Sequence, residues 1–252
     1  MPSRQIIGAV CRAMRALPGW PALRVLDLSC GEGRILEQLA AEGCQTEGTH
    51  YREDDYILKN PSRGLADSKI HPNVDLSKPL PFADGQYDVV LATEVLEHLP
   101  QHVGLVAEVG RILKPGGTFV FTTPNVHRLR SRLQFFLTGQ HELRSARFGW
   151  QTQADALYAT HYNPVYFPAM HTVLYQHGMR IRQLRYTRAR LQTWPLLLFY
   201  PLVALAALVE SRHQIKRCRA GSWDLLRWQL DWRMLMSEQL AVVARKEGGG
   251  SI

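Results

Sequence analysis

Apolar and polar positions alternate with two different periods along this chain, and each change of period marks an element. Residues 3–16 carry apolar side chains at helical spacing up to Pro18-Gly19, which predicts a short amphipathic helix. Arg24–Leu28 is an apolar run of strand length that leads into Ser29-Cys30-Gly31-Glu32-Gly33. Helical spacing returns over 34–42 through Ile35, Leu36, Leu39 and Ala40, with Gly43 as the stop. Residues 44–50 predict a second strand. The stretch 51–80 is polar and interrupted by Pro61, Gly64, Pro72 and Pro79, so it predicts only a short strand near Ile70–Leu76.

Tyr87–Ala92 has the pattern of a buried strand, Val103–Leu113 that of a helix closed by Lys114-Pro115-Gly116-Gly117, and Thr118–Thr123 that of a strand stopped by Pro124. Residues 125–160 form a basic insertion with a helical piece near 128–138. Pro164–His177 predicts a helix ended by Gly178, and Met179–Tyr186 and Gln239–Arg245 predict the last two strands. This alternation argues for an α/β fold with a largely parallel sheet.

Between those last strands lies Leu191–Val209, 19 positions without a charge. It contains Pro195 and Pro201, and Arg185, Arg188, Arg190, Arg212, Lys216 and Arg217 flank it. A membrane-spanning helix needs ~20 apolar residues. The prolines weaken a span, and the apolar run with its arginine flanks suggests an interfacial or re-entrant membrane contact, the alternatives being a cap over a site or a dimer contact. Leu226–Met234, with Trp228 and Trp232, leaves helix and strand both open.

The chain has 252 residues, 46% apolar and 21% charged, which suits one large folded domain. Cys11, Cys30, Cys44 and Cys218 show no C-x-x-C spacing, so neither a disulfide framework nor a zinc cage is expected, and a reducing cytoplasm is. No signal peptide is expected from the N-terminal pattern. The net charge of +8 is uneven: residues 1–120 hold 12 Lys/Arg against 15 Asp/Glu, and residues 121–220 hold 14 against 3. Such a region suits an anionic partner: a phosphorylated substrate, an anionic membrane surface or nucleic acid. A solvated arginine-rich face is the plainer account.

A strand, a glycine turn and a helix form the unit that places a ligand at the carboxyl end of a sheet. Counted from Gly31, the third glycine of a dinucleotide loop would fall at Leu36, so that spacing fails. VLDLSCGEG (25–33), PFADGQYDVVLATEVLEHL (81–99) and RILKPGGTFVFTTPN (111–125), in this order, resemble three motifs of class I S-adenosylmethionine (SAM) dependent methyltransferases. The resemblance covers about residues 20–125, with weaker matches at 160–187 and 239–246. It implies a Rossmann-like, doubly wound, mostly parallel seven-stranded sheet with an apolar helical insertion before the last strand. Residues 1–190 with 237–247 would form the methyltransferase domain and 191–236 the insertion.

The resemblance also implies roles. Asp27, Ser29, Cys30, Gly31 and Gly33 would line the amino-acid end of SAM. Asp75 and Leu76 would meet the adenine, and Thr93 and Glu94 would face the methyl. Where the family carries an acid for the ribose hydroxyls, this chain has His50, with Glu53 or Asp54 as alternatives.

Glu94, Glu97 and His98 would share one face if 94–98 formed a helical turn, and could then hold Mg²⁺ or another divalent ion that lowers the pKa of a substrate hydroxyl. EVLEHL resembles the metal motif of ubiquinone-biosynthesis and small-RNA O-methyltransferases, which add a downstream histidine; His161 stands in a matching place. The alternative is a structural His98, or one acting alone as a base. His102, His127 and His141 read as surface residues. The expected activity is O-methylation of a hydroxyl on a small or lipid-linked molecule, glycan or quinone-like, by Glu94, His98 and His161, at a cytoplasmic site peripheral to the inner membrane. RNA methylation and a non-catalytic SAM-fold binding protein are the alternatives.

Overall fold

A computed structural model describes residues 3–51, 68–141, 161, 163–187, 191–217 and 222–248, without the side chains of 191–193, 213–217 and 222. Seven strands make one sheet: β1 (Arg24–Asp27), β2 (Gln45–Thr49), β3 (Lys69–His71), β4 (Tyr87–Thr93), β5 (Leu113–Pro124), β6 (Met179–Tyr186) and β7 (Gln239–Lys246). The order is β3-β2-β1-β4-β5-β7-β6, parallel except for β7, which runs antiparallel to both neighbours. The chain moves outward from β1 to β3 and then crosses back to β4. The crevice outside the carboxyl ends of β1 and β4 is therefore the topological switch point, where α/β sheets bind ligands.

Period-two patterning explains the layers. Leu26, Leu28, Val90, Ala92, Phe119 and Phe121 point to one face, where α3 (His102–Ile112) and α5 (Phe167–Gln176) cover them with Leu105, Val109, Met170 and Leu174. Val25, Val89, Leu91, Val120 and Val243 point to the other face, under α1 (Arg4–Met14) and α2 (Arg34–Ala41). Helix α1 starts where Ser3 accepts a hydrogen bond from the Ile6 amide and buries Ile6, Ala9, Val10, Ala13 and Met14 on one stripe. Each fully buried aliphatic or aromatic side chain here stabilises the fold by roughly 1.5–3 kcal/mol.

Two expectations are corrected. The third strand is Lys69–His71, not Ile70–Leu76, because Asn73 turns left-handed and Asp75 closes a side-chain turn on Ser77. Strand β5 begins at Leu113, and the Lys114–Gly117 turn sits inside it where its register against β4 shifts.

Beyond the sheet, α4 (Leu129–Thr138) follows β5. Between β6 and β7 come a 3-10 segment (Leu191–Phe199), α6 (Tyr200–Arg217), α7 (Ser222–Gln229) and α8 (Trp232–Met236). The unsettled segment 226–234 is thus helical in two pieces. A small cluster anchors this group: Leu129, Leu235 and Met236, with Leu196, Leu197, Tyr200 and Val203 against it. The Tyr200 hydroxyl donates to the Leu230 carbonyl at 2.8 Å.

Candidate active site

The loop after β1 is shaped by three left-handed residues, Ser29 (φ 58°), Gly31 (φ 55°) and Gly33 (φ 72°). Glycine adopts this backbone without steric cost, and a Cβ at Gly31 would meet nothing within 4 Å. Gly33 caps α2 without a side-chain bond, so the first amides of that helix remain available to an anionic group. Strand β2 holds the loop in place. The Ser29 amide donates to Thr49 Oγ1 at 2.9 Å, the Cys30 amide to the Thr49 carbonyl at 3.1 Å, and His50 Nε2 to the Gly31 carbonyl at 3.1 Å. Cys30 folds back over Gly48, where a Cβ would come within 2.7 Å of its sulfur.

A cleft of about 270 Å³ opens at the switch point. Ser29, Thr49 and Tyr51 form one side, Val74, Asp75, Leu76 and Ser77 a second, and Glu94, Val95, His98, Leu99 and Pro100 the third. Just behind it, Asp27 Oδ1 and Thr93 Oγ1 are buried without a hydrogen-bond partner among the described residues. Such atoms cost free energy unless a ligand pairs with them. Burial pushes the Asp27 carboxyl up to about 7. Asp75 differs: hydrogen bonds from Ser77, with Lys78 nearby, hold its carboxyl below the ordinary range. An open cradle at Gly31, orphaned polar atoms and free helix amides fit a zwitterionic, adenosyl-sized cofactor.

The turn after β4 departs from expectation. Glu94 is left-handed (φ 56°), and a 3-10 turn begins only at Leu96–His98, so Glu94 does not share a helical face with Glu97 and His98. Instead the Glu94 amide donates to Thr122 Oγ1 at 3.0 Å, and its carboxylate accepts from the Gln239 side-chain amide. Glu97 points inward and is fully buried, with neither carboxylate oxygen hydrogen-bonded among the described residues. Burial lifts its carboxyl to about 8, with Glu94 adding to the rise.

His161 joins this group from far along the chain. Its ring lies 4.7 Å from that of His98, and one ligand atom from each of Glu97, His98 and His161 falls within 4.8 Å of the others. Asn163 produces the juxtaposition. Its amide donates to the Glu97 carbonyl at 3.2 Å, and its side chain donates to the carbonyls of Leu99 (2.8 Å) and Pro100 (3.2 Å).

Of the residues singled out from the sequence, Ser29, Asp75, Leu76, Glu94 and His98 line the cleft. Asp27, Thr93 and Glu97 lie behind it, and Cys30, Gly31, Gly33 and His50 build the loop. Glu53, Asp54, Arg188 and Arg190 fall outside the described residues. Thr49, Tyr51, Ser77, Asn163 and Gln239 escaped sequence reading; only the Asp75-x-Ser77 spacing carried a local signal. The expectation that His127 is a surface residue is corrected. Its Nε2 accepts from the Phe167 amide at 3.0 Å, and burial, with Arg132 and His141 nearby, pushes its pKa down to about 3. His102 donates to the Leu96 carbonyl at 2.9 Å, and burial lowers its pKa.

Comparison with known proteins agrees with this architecture. A methyltransferase-domain family profile matches residues 4–210. The ubiquinone biosynthesis O-methyltransferase of Burkholderia vietnamiensis is 34% identical over 110 residues, which is 40% of this chain and 44% of that protein. The chain therefore matches less than half the length of that relative. A SAM dependent methyltransferase from Archaeoglobus fulgidus superposes with a TM-score of 0.59 at 16% identity, covering 96% of this chain and 93% of that one. One from Mesorhizobium loti gives 0.54 at 17% identity, covering 94% and 98%. At these identities the structural likeness establishes the fold alone.

Proposed function

This chain belongs to the methyltransferase-domain family of SAM-dependent enzymes, and on that premise we propose that it methylates a hydroxyl of a small or lipid-linked molecule, glycan or quinone-like. The observation that carries the choice of a hydroxyl is the Glu97, His98 and His161 group beside the cleft wall. SAM supplies an electrophilic methyl on a sulfonium, which an acceptor oxygen displaces in line.

The chain's own residues hold and orient. Asp27 with the 29–33 loop would hold the amino-acid end, an ionised Asp27 facing the ammonium and the α2 amides the carboxylate. Asp75 and Leu76 would border the adenine. His50, committed to the Gly31 carbonyl, leaves the ribose edge to Thr49 and Tyr51. Thr93 and Glu94, the latter braced by Thr122 and Gln239, close the floor. An imidazole nitrogen of His98 takes the acceptor proton, with Glu97 and His161 alongside.

The same three residues fit a divalent cation, since the Glu97 oxygens are unpaired among the described residues and only a proton or a cation compensates a carboxylate so buried. Without Glu94 the donors are two imidazoles and one carboxylate, a set that favours Mn²⁺ over Mg²⁺. An ion held there would lower the pKa of a bound hydroxyl. The lipid-linked acceptor and a peripheral position on the cytoplasmic face of a membrane draw on Trp194–Arg212. Its mean hydropathy is 1.6, and only 6% of that window is buried.

The test is mass spectrometry of extracts from cells with and without the gene, seeking a methyl increment on a hydroxyl, joined to calorimetry with SAM. Gly31→Trp abolishes SAM binding. His98→Gln lowers kcat by about 10²–10⁴-fold with SAM affinity kept, and a chelator separates the metal-dependent form from the base alone. Methylation at nitrogen, or a fully active His98→Gln enzyme, overturns the assignment.

A further inference from the structure

A second cavity, of about 430 Å³, lies away from the cleft, where the chain leaving β5 meets α4, Tyr166 and α6. One wall is apolar, built by Leu202, Val203, Ala206 and Ala207 of α6. The facing wall carries His127, Arg132 and Tyr166. Both cavities open near the ends of adjacent strands, since Val95 follows β4 and Val126 follows β5.

Arg132 is the unusual member. Arg15, Arg24, Arg111 and Arg233 each have a carboxylate partner within 3 Å. Arg132 is half-buried on α4, and among the described residues the charge partner of its guanidinium is the Tyr166 hydroxyl rather than a carboxylate. Burial also draws its pKa below the usual arginine value. His127 adds no competing charge, because its Nε2 accepts a backbone hydrogen bond and the ring stays neutral. Glu210 sits on the same cavity but is exposed and has contacts of its own. A half-buried cation without a counter-charge is costly unless a ligand supplies one. A planar guanidinium matches the oxygens of a phosphate or carboxylate.

The opposite wall says what is attached to that anion. It continues outward along α6 into Leu202 and Leu205, which are 65% and 59% exposed, and hydrocarbon gains most from lying on such a surface. We propose that this cavity binds an anionic amphiphile, its oxyanion head on Arg132 and its hydrocarbon chain against the Leu202–Ala206 face of α6. This site depends neither on methyl transfer nor on the identity of the methyl acceptor.

The experiment is calorimetry of the full chain with monododecyl phosphate below its micelle concentration, with dodecyl maltoside and inorganic phosphate as comparisons. Monododecyl phosphate binds at least tenfold more tightly than either. Arg132→Gln weakens it at least tenfold, Arg132→Lys restores part of the loss, and Ala206→Trp, which fills the apolar wall, weakens it with Arg132 intact. Circular dichroism and SAM calorimetry on the same samples report the fold and the first cleft separately, so failure here is distinct from failure of the methyltransferase reading. Sedimentation with phosphatidylcholine vesicles containing phosphatidic acid, if it depends on Arg132, assigns the head to a bilayer lipid; Arg132-dependent calorimetric binding alone assigns it to a free amphiphile. Unchanged affinity in folded Arg132→Gln, or equal binding of the neutral detergent, overturns the proposal. Inorganic phosphate binding as tightly as monododecyl phosphate overturns its amphiphile half.

Discussion

Residues 3–124 and residues 125–236 use apolar side chains in opposite ways. In the first region they alternate between two buried clusters, and among the described residues the large exposed hydrophobics there are Tyr51 and Val103. In the second, Phe136 and Leu198 are each 84% exposed, and Leu137, Trp223 and Phe199 also face outward. The first region buries its apolar side chains and leaves specific polar atoms without a partner among the described residues, Asp27 Oδ1, Thr93 Oγ1 and both Glu97 oxygens among them, for a ligand to complete. The second leaves area uncovered, and an area of this kind awaits a partner surface. One region is therefore specified by geometry and the other by wetting.

The largest expected effect lies where the second region is tied to the start of β7. Asn125 is buried; its side-chain amide donates to the Met234 carbonyl and to Ser237, and its Oδ1 accepts from the His127 amide. Asn125→Ala orphans these groups and lowers unfolding stability by about 2–3 kcal/mol in urea. A loss under 1 kcal/mol would mean that this network does not hold the chain after β5 against α8 and the start of β7.

Gly48→Val comes next. Its side chain would intrude on Cys30, Leu36 and Ile70, costing about 1–3 kcal/mol and displacing the glycine loop. SAM affinity falls together with Tm, whereas unchanged affinity would separate the loop from β2.

A smaller effect, of opposite sign, follows at Asp27. The unfolded chain releases this proton near 3.8 and the folded chain near 7. The folded state thus binds more protons across that window, and stability falls as pH rises through it. Asp27→Asn removes the fall, gaining on the order of 1–2 kcal/mol at pH 8 relative to wild type and nothing at pH 3, while SAM binding weakens. Thermal melts at the two pH values check it.

The smallest effect on stability is expected where exposure is greatest. Leu198→Ser and Leu202→Ser each change stability by less than about 0.5 kcal/mol, yet reduce binding to anionic vesicles. A cost above 2 kcal/mol for either would place that face in a core and erase the contrast between the regions.

The sheet was legible because burial on two faces writes a two-residue period, and the 25–33 and 111–125 motifs give its ends. The strand after β2 was misread, since a left-handed Asn73 is invisible to hydropathy. The site was half legible. Asp27, Asp75 and His98 follow from local motifs, but the Glu94 conformation depends on Thr122 and Gln239, the latter 145 positions away. Asn163 acts on Leu99 from 64 positions away. No window of sequence reports such pairings. Arg132 was visible only as part of a charge excess; its want of a carboxylate became apparent in three dimensions.

One rung of the sheet has an evolutionary reach. Thr187 and Gln239 bond to each other from both sides, the Thr187 amide and hydroxyl donating to the Gln239 carbonyl and the Gln239 amide to Thr187 Oγ1. The chain thus departs from β6 and rejoins at β7 through a single doorway, and whatever lies between can be lengthened, shortened or exchanged while the strand register stays fixed. Because Gln239 also grips Glu94, that doorway is wired to the cleft, so a new excursion would arrive already connected to its wall.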